Sequence, residues 1–183
     1  SALIASTGLA GAAADLQAAE ATPDRDMALA AVRFLAGIEG AYQARWRIGA
    51  TSGVLPVPVL NTDLPPNPDP QPMAPDFLNA LAADLGAAMQ ATRDTLPDGD
   101  AALVLRLTDL WVDVDGNGSR DPAEDLPALL GLPVPEGVTP EIRFDASDAH
   151  WLRAYTHLIG AMTDLTLAFD PEPALARRMA LSD

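Results

Sequence analysis

The chain has 183 residues, 49% of them hydrophobic, enough to bury a core in one domain or in two small ones. It carries 26 acidic residues against 11 arginines and no lysine, a formal charge of −15, so a phosphate backbone is repelled and nucleic acid is a poor partner. Cysteine is absent, which excludes disulfide frameworks, thiol nucleophiles and thiolate metal sites.

In chain order, a weak helical pattern between Leu9 and Glu20 comes first. A stronger one follows from Asp24 to Ile48, where Met27, Ala31, Phe34, Leu35, Ile38, Tyr42 and Trp46 recur at three and four residue steps. Thr22-Pro23 separates the two, with proline where a missing amide is harmless. Gly37, Gly40, Ala41 and Ala44 lie near the apolar stripe and let another helix come close. Arg45 and Arg47, beside Trp46, read as a solvated flank, with anion binding as the sharper alternative.

Residues 50–75 form a proline-rich connection, an apolar half Val54-Leu-Pro-Val-Pro-Val-Leu60 and a polar half Pro65 to Pro72. Fixed proline dihedrals and missing amides predict an extended crossover, its first half on the core and its second half exposed. A second helix runs from about Pro75 to Arg93, and Leu103 to Trp111 is taken as helical, although Leu103, Leu105 and Leu107 also alternate as a strand does. Glu141-Ile-Arg-Phe144 fits a short strand. Ser147 to Phe169 reads as a helix burying Trp151, Leu152, Tyr155, Leu158, Ile159, Met162, Leu165 and Phe169, and a last short helix holds Leu175 and Met179. The expected fold is mainly α, a compact helical bundle of about five to seven helices in a single domain over 1–183.

The chemistry is concentrated in residues 113–124, Asp-Val-Asp-Gly-Asn-Gly-Ser-Arg-Asp-Pro-Ala-Glu. This segment resembles an EF-hand calcium loop. Such a loop supplies oxygens to a hard divalent ion from every second residue and from a closing, two-oxygen glutamate. The resemblance implies Asp113, Asp115 and Asn117 as side-chain ligands, Ser119 through its carbonyl, Asp121 directly or through water, and Glu124 closing the shell, with Gly118 at the sharp turn. The bland alternative is an Asp/Gly/Asn turn that binds nothing. Against it, four carboxylates in so short a segment repel one another unless a cation sits among them.

Two departures matter. Arg120 stands where the family has an aliphatic residue that pairs with a second loop, and Pro127 and Gly131 clip any exiting helix. A lone loop with a short exit arm suits a structural calcium more than a sensor, and calcium near the millimolar range, which points to a periplasmic or extracellular setting.

His150 and His157, with Asp164, recur at seven-residue intervals beside the stripe taken as core, interleaved with Ala154, Ala161 and Ala168. Two helical turns separate them by about 10 Å, too far to share a metal ion, and packed, hydrogen-bonded histidines are the expectation, with general-base catalysis as the sharper reading. Trp46, Trp111 and Trp151 are assigned to core. No apolar run is long enough for a membrane span, and the first residues lack the pattern of a secretion signal. The expectation is a calcium-binding helical domain with no catalytic residues assigned and a protein partner not identified. The alternatives are an exported hydrolase-like enzyme supported by calcium, using His150 or His157 with nearby acids, and a calcium-responsive adaptor.

Overall fold

The computed structural model describes residues 1–52 and 60–181. Among them are six α-helices and one two-stranded antiparallel ribbon, so the fold is mainly α. The order is α1 (Ala2–Ala18), α2 (Pro23–Arg47), α3 (Phe77–Arg93), β1 (Leu103–Arg106), α4 (Leu126–Leu129), β2 (Glu141–Phe144), α5 (Ala146–Phe169) and α6 (Glu172–Ala180). No helix among the described residues is long and apolar enough to cross a membrane.

Local chemistry sets the ends of the long helices. The Thr22 hydroxyl accepts the Arg25 N–H at 3.2 Å, Pro23 opens α2, and Asp24 and Asp26 face its positive end while Arg45 and Arg47 face its negative end. In α5 the Asp145 and Asp148 carboxylates cap each other's backbone reciprocally. That helix stops at Asp170, whose φ of 45° lies in the left-handed region, immediately before Pro171.

The bundle is built on close approaches. α3 packs against both α2 and α5, and α1 lies on α2. A Cβ added at Gly37 of α2 would stand 2.7 Å from the Ala88 Cβ of α3, and one at Gly86 of α3 would stand 2.9 Å from the Thr163 hydroxyl of α5. The core between these helices includes Ile38, Tyr42, Leu85, Met89 and Ile159, closed by Val112 and Val114 from the segment after β1. A second cluster under α1 gathers Ile4, Leu9, Val32, Leu110 and Trp111.

Several expectations are corrected. The first helix starts at Ala2 rather than Leu9, with a break at Gly8, where φ is 68° and an added Cβ would stand 3.2 Å from the Trp111 ring, so glycine fits best. Leu103 to Trp111 is not a helix: Leu103–Arg106 pairs with Glu141–Phe144, and a 3₁₀ turn covers Leu107–Asp109. The expected short strand at Glu141–Phe144 is present as β2 and supplies the pairing. α5 spans the expected residues, and of the expected core set Ile159 is buried and Leu152, Tyr155 and Met162 pack partly buried against the core, but the helix is rotated so that Ala149, Thr156, Gly160 and Thr163 are its other buried residues. Trp151, Leu158, Leu165 and Phe169 stand exposed instead.

Arg45 is neither a solvated flank nor an anion clamp. It is buried, and its guanidinium donates to the carbonyls of Leu60 at 2.6 Å, Thr51 at 2.9 Å and Thr62 at 3.0 Å, tying α2 to the crossover. Most of the apolar half of that connection, from Val54 to Val59, lies outside the described residues. Leu60 and Leu64 are buried, while the stretch from Pro65 to Pro72 is mostly exposed, as expected.

Candidate metal centre

The loop begins in an extended segment whose alternation aims its first acid. Val112 and Val114 are buried in the core, so the intervening Asp113 is turned away from it and into the loop. α2 fixes this entry through two side chains one turn apart. Glu39 Oε2 accepts the Asp113 N–H at 2.9 Å, and Gln43 Nε2 donates to the Asp113 carbonyl at 2.8 Å.

The exit is fixed against the entry. Trp111 and Asp125 form an antiparallel bridge, with Val112 N–H donating to the Glu124 carbonyl at 3.0 Å and Leu126 N–H to the Leu110 carbonyl at 2.9 Å. Arg120 pairs with Asp125 at 2.6 Å and donates to the Thr108 carbonyl at 2.7 Å. The Trp111 indole N–H donates to the Ile4 carbonyl at 2.7 Å, so α1 holds the base of the loop.

Between these anchors the chain coils on its own side chains. Asp113 accepts the N–H groups of Gly116 and Gly118, one on each carboxylate oxygen, both at 2.9 Å. Both glycines have φ near 75°, so the turn needs their conformational freedom. Asp115 accepts the Asn117 N–H at 3.0 Å, and the Asn117 side-chain oxygen accepts the Ser119 N–H at 2.6 Å. Asp121 caps the following 3₁₀ turn, Pro122–Glu124, by accepting the Ala123 N–H at 2.8 Å.

Glu124 closes the loop from below. It is 3% exposed, and its carboxylate accepts N–H groups from Val114 at 2.7 Å, Asp115 at 3.3 Å and Asp121 at 3.1 Å. One oxygen each from Asp113, Asp115 and Glu124 lie within 4.8 Å of one another. The cluster is electrostatically uncomfortable. Burial pushes the Glu124 carboxyl up, the three backbone donors oppose that, and the Asp115 charge adds to it. Glu39, packed alongside, is pushed up to about 7, first by burial and further by the charges of Asp113 and Glu124, against the pull of the Asp113 N–H.

Of the residues implied as ligands, Asp113, Asp115 and Glu124 converge. Asn117, Ser119 and Asp121 stand exposed on the rim of the loop, the first and last engaged in turn hydrogen bonds. Glu39 and Gln43 were missed by the sequence reading. A signal existed for Glu39, an acid inside the apolar stripe between Leu35 and Tyr42. The flanks differ from two long helices, since an extended segment enters and only the 3₁₀ turn and the four-residue α4 leave. His150 and His157, expected to be packed, are both exposed on α5.

No protein-family model, curated protein or solved structure matches this chain. The residues themselves therefore carry the functional argument. Three convergent carboxylates with a fourth acid behind them form a group that could hold a metal ion.

Proposed function

We propose that the loop from Asp113 to Glu124 binds one calcium ion, and that this ion is structural, serving a helical domain whose role is interaction rather than catalysis. The observation that carries this reading is the convergence of Asp113, Asp115 and Glu124 within 4.8 Å. Oxygens held at 2.3–2.6 Å around a calcium ion lie up to about 5 Å apart, so the cluster fits that span. Asn117, the Ser119 carbonyl and Asp121 complete the shell on the exposed side, where a small rotation or a water suffices.

The ion offsets the repulsion among Asp113, Asp115 and Glu124 and stabilises ionised Glu39 behind them. The bridge between Trp111 and Asp125 already joins the loop's ends, so calcium stabilises that closure rather than swinging long helices apart. A lone loop of this construction suits calcium near the millimolar range, which favours a periplasmic or extracellular setting.

Differential scanning calorimetry with and without calcium tests the structural role. Calcium is expected to raise the melting temperature with little change in far-ultraviolet circular dichroism. A large exposure of dye-binding apolar surface on adding calcium would replace this reading with the adaptor one.

A further inference from the structure

The outer face of α5 carries an apolar seam that the fold leaves uncovered. Trp151, Leu158 and Leu165 are 64%, 56% and 58% exposed, and they recur every seven residues. Ala154, Ala161 and Ala168 recur at the same interval, three residues after each large one, and are exposed too. This is the spacing by which one helix meets another along a supercoiled seam. α6 packs on α3, and Trp151, Leu158 and Leu165 stay exposed beside it.

The order of sizes selects the partner. If two such helices ran parallel, large would face large and alanine would face alanine, leaving the axes alternately forced apart and gapped. Run antiparallel, the layers become Trp151 on Ala168, Ala154 on Leu165 and Leu158 on Ala161, with a large residue on a small one in each layer. The helix is then complementary to itself through a two-fold axis near residues 159–160. The flanking positions agree: this register sets His157 of each copy beside Asp164 of the other, an N–H donor opposite a carboxylate in either state of the ring. It also carries Phe169 of the second copy to the level of His150 and Trp151. There it lies beside the mouth of an apolar cavity of about 240 Å³ lined by Phe34, Leu105, Phe144 and Trp151.

We propose that this face of α5 is the interface of an antiparallel homodimer, with a second copy of the chain as its occupant. The paired strip is roughly 26 Å long and a single helix face wide on each copy, a small interface, so the dimer is reversible. This inference is independent of the calcium reading.

Sedimentation equilibrium of the full chain tests it, the monomer mass being 19.1 kDa. The expected result is a concentration-dependent rise toward twice that mass, lost in Leu158→Asp with helical content unchanged. Orientation is read with the cysteine-free chain as background. Ala154→Cys and Leu165→Cys variants are expected to link through a short thiol crosslinker when mixed. Each alone should link poorly, because like positions lie about 16 Å apart along the axis. Linking of each variant alone would overturn the antiparallel arrangement. A monomer at several hundred micromolar would overturn the dimer. Retention of the wild-type monomer by phosphatidylcholine vesicles, abolished by Leu158→Asp, would overturn it in favour of a lipid surface.

Discussion

The acidic loop of residues 113–124 and the outer face of α5 invert the usual placement of charge and apolar surface in opposite senses. In the loop, charge is drawn inward: Glu124 is buried and Glu39 lies packed beside it. On α5, apolar surface is turned outward, from Trp151 to Phe169. Each inversion is unfavourable for the isolated fold, and each has a geometry that names what would relieve it. A cation suits convergent oxygens; a like helix suits alternating large and small side chains.

The two faces of α5 offer the largest effects. Ile159 is fully buried and Leu158, its neighbour, is mostly exposed. Ile159→Ala is expected to destabilise the fold by about 2–5 kcal/mol in chemical denaturation. At concentrations where the chain is monomeric, Leu158→Ala should lie within about 0.5 kcal/mol of the parent. Equal losses at the two positions would mean that the seam is covered within one chain.

In the loop, Glu124→Gln removes the charge of the closing carboxylate while keeping its shape. Calcium affinity measured by calorimetry is expected to fall by at least about 100-fold, and the metal-free variant is also expected to lose stability, because the amide NH2 replaces an oxygen that accepts a backbone N–H from Val114, Asp115 or Asp121. Unchanged affinity would remove Glu124 from the site. For the parent, calcium at a hundred times its dissociation constant should add about 2.7 kcal/mol, or roughly 5–10 °C in melting temperature for a chain of this size.

The smallest effect is in pH dependence. The Glu39 carboxyl titrates near 7 in the fold against an ordinary 4.5. Its stabilising contribution is therefore complete below about pH 4.5 and is lost as pH rises through 7 in the metal-free protein. The slope of stability against pH over that window should flatten in Glu39→Gln, and also with calcium bound, because a cation favours the ionised acid. An unaltered slope in both would place Glu39 outside the electrostatics of the loop.

The long helices were legible because their signals are local. Thr22-Pro23 and the Asp145/Asp148 pair mark helix starts by side-chain geometry alone, and α3 shows its stripe from Phe77 to Thr92. The facing of α5 was not legible. Helices that approach closely bury small residues, here Thr163 against Gly86 and Gly160 against Arg93 of α3, so only part of the large apolar stripe, Ile159 above all, faces inward. β1 was missed because its pairing partner lies more than thirty residues away, beyond what periodicity registers. In the loop, spacing pointed to the carboxylates that converge. The contributions of Glu39, Gln43 and the buried Arg45 depend on where α2 lies against distant backbone, which no local pattern encodes.

The most direct test of the proposed function is a calcium titration of the metal-stripped chain by calorimetry, with terbium luminescence sensitised through Trp111 as a report from the loop. The expected result is one site per chain, sensitised emission that calcium displaces, and loss of both signals in Glu124→Gln. The absence of heat and of sensitised emission at millimolar metal would contradict the account and leave residues 113–124 as a hydrogen-bonded turn.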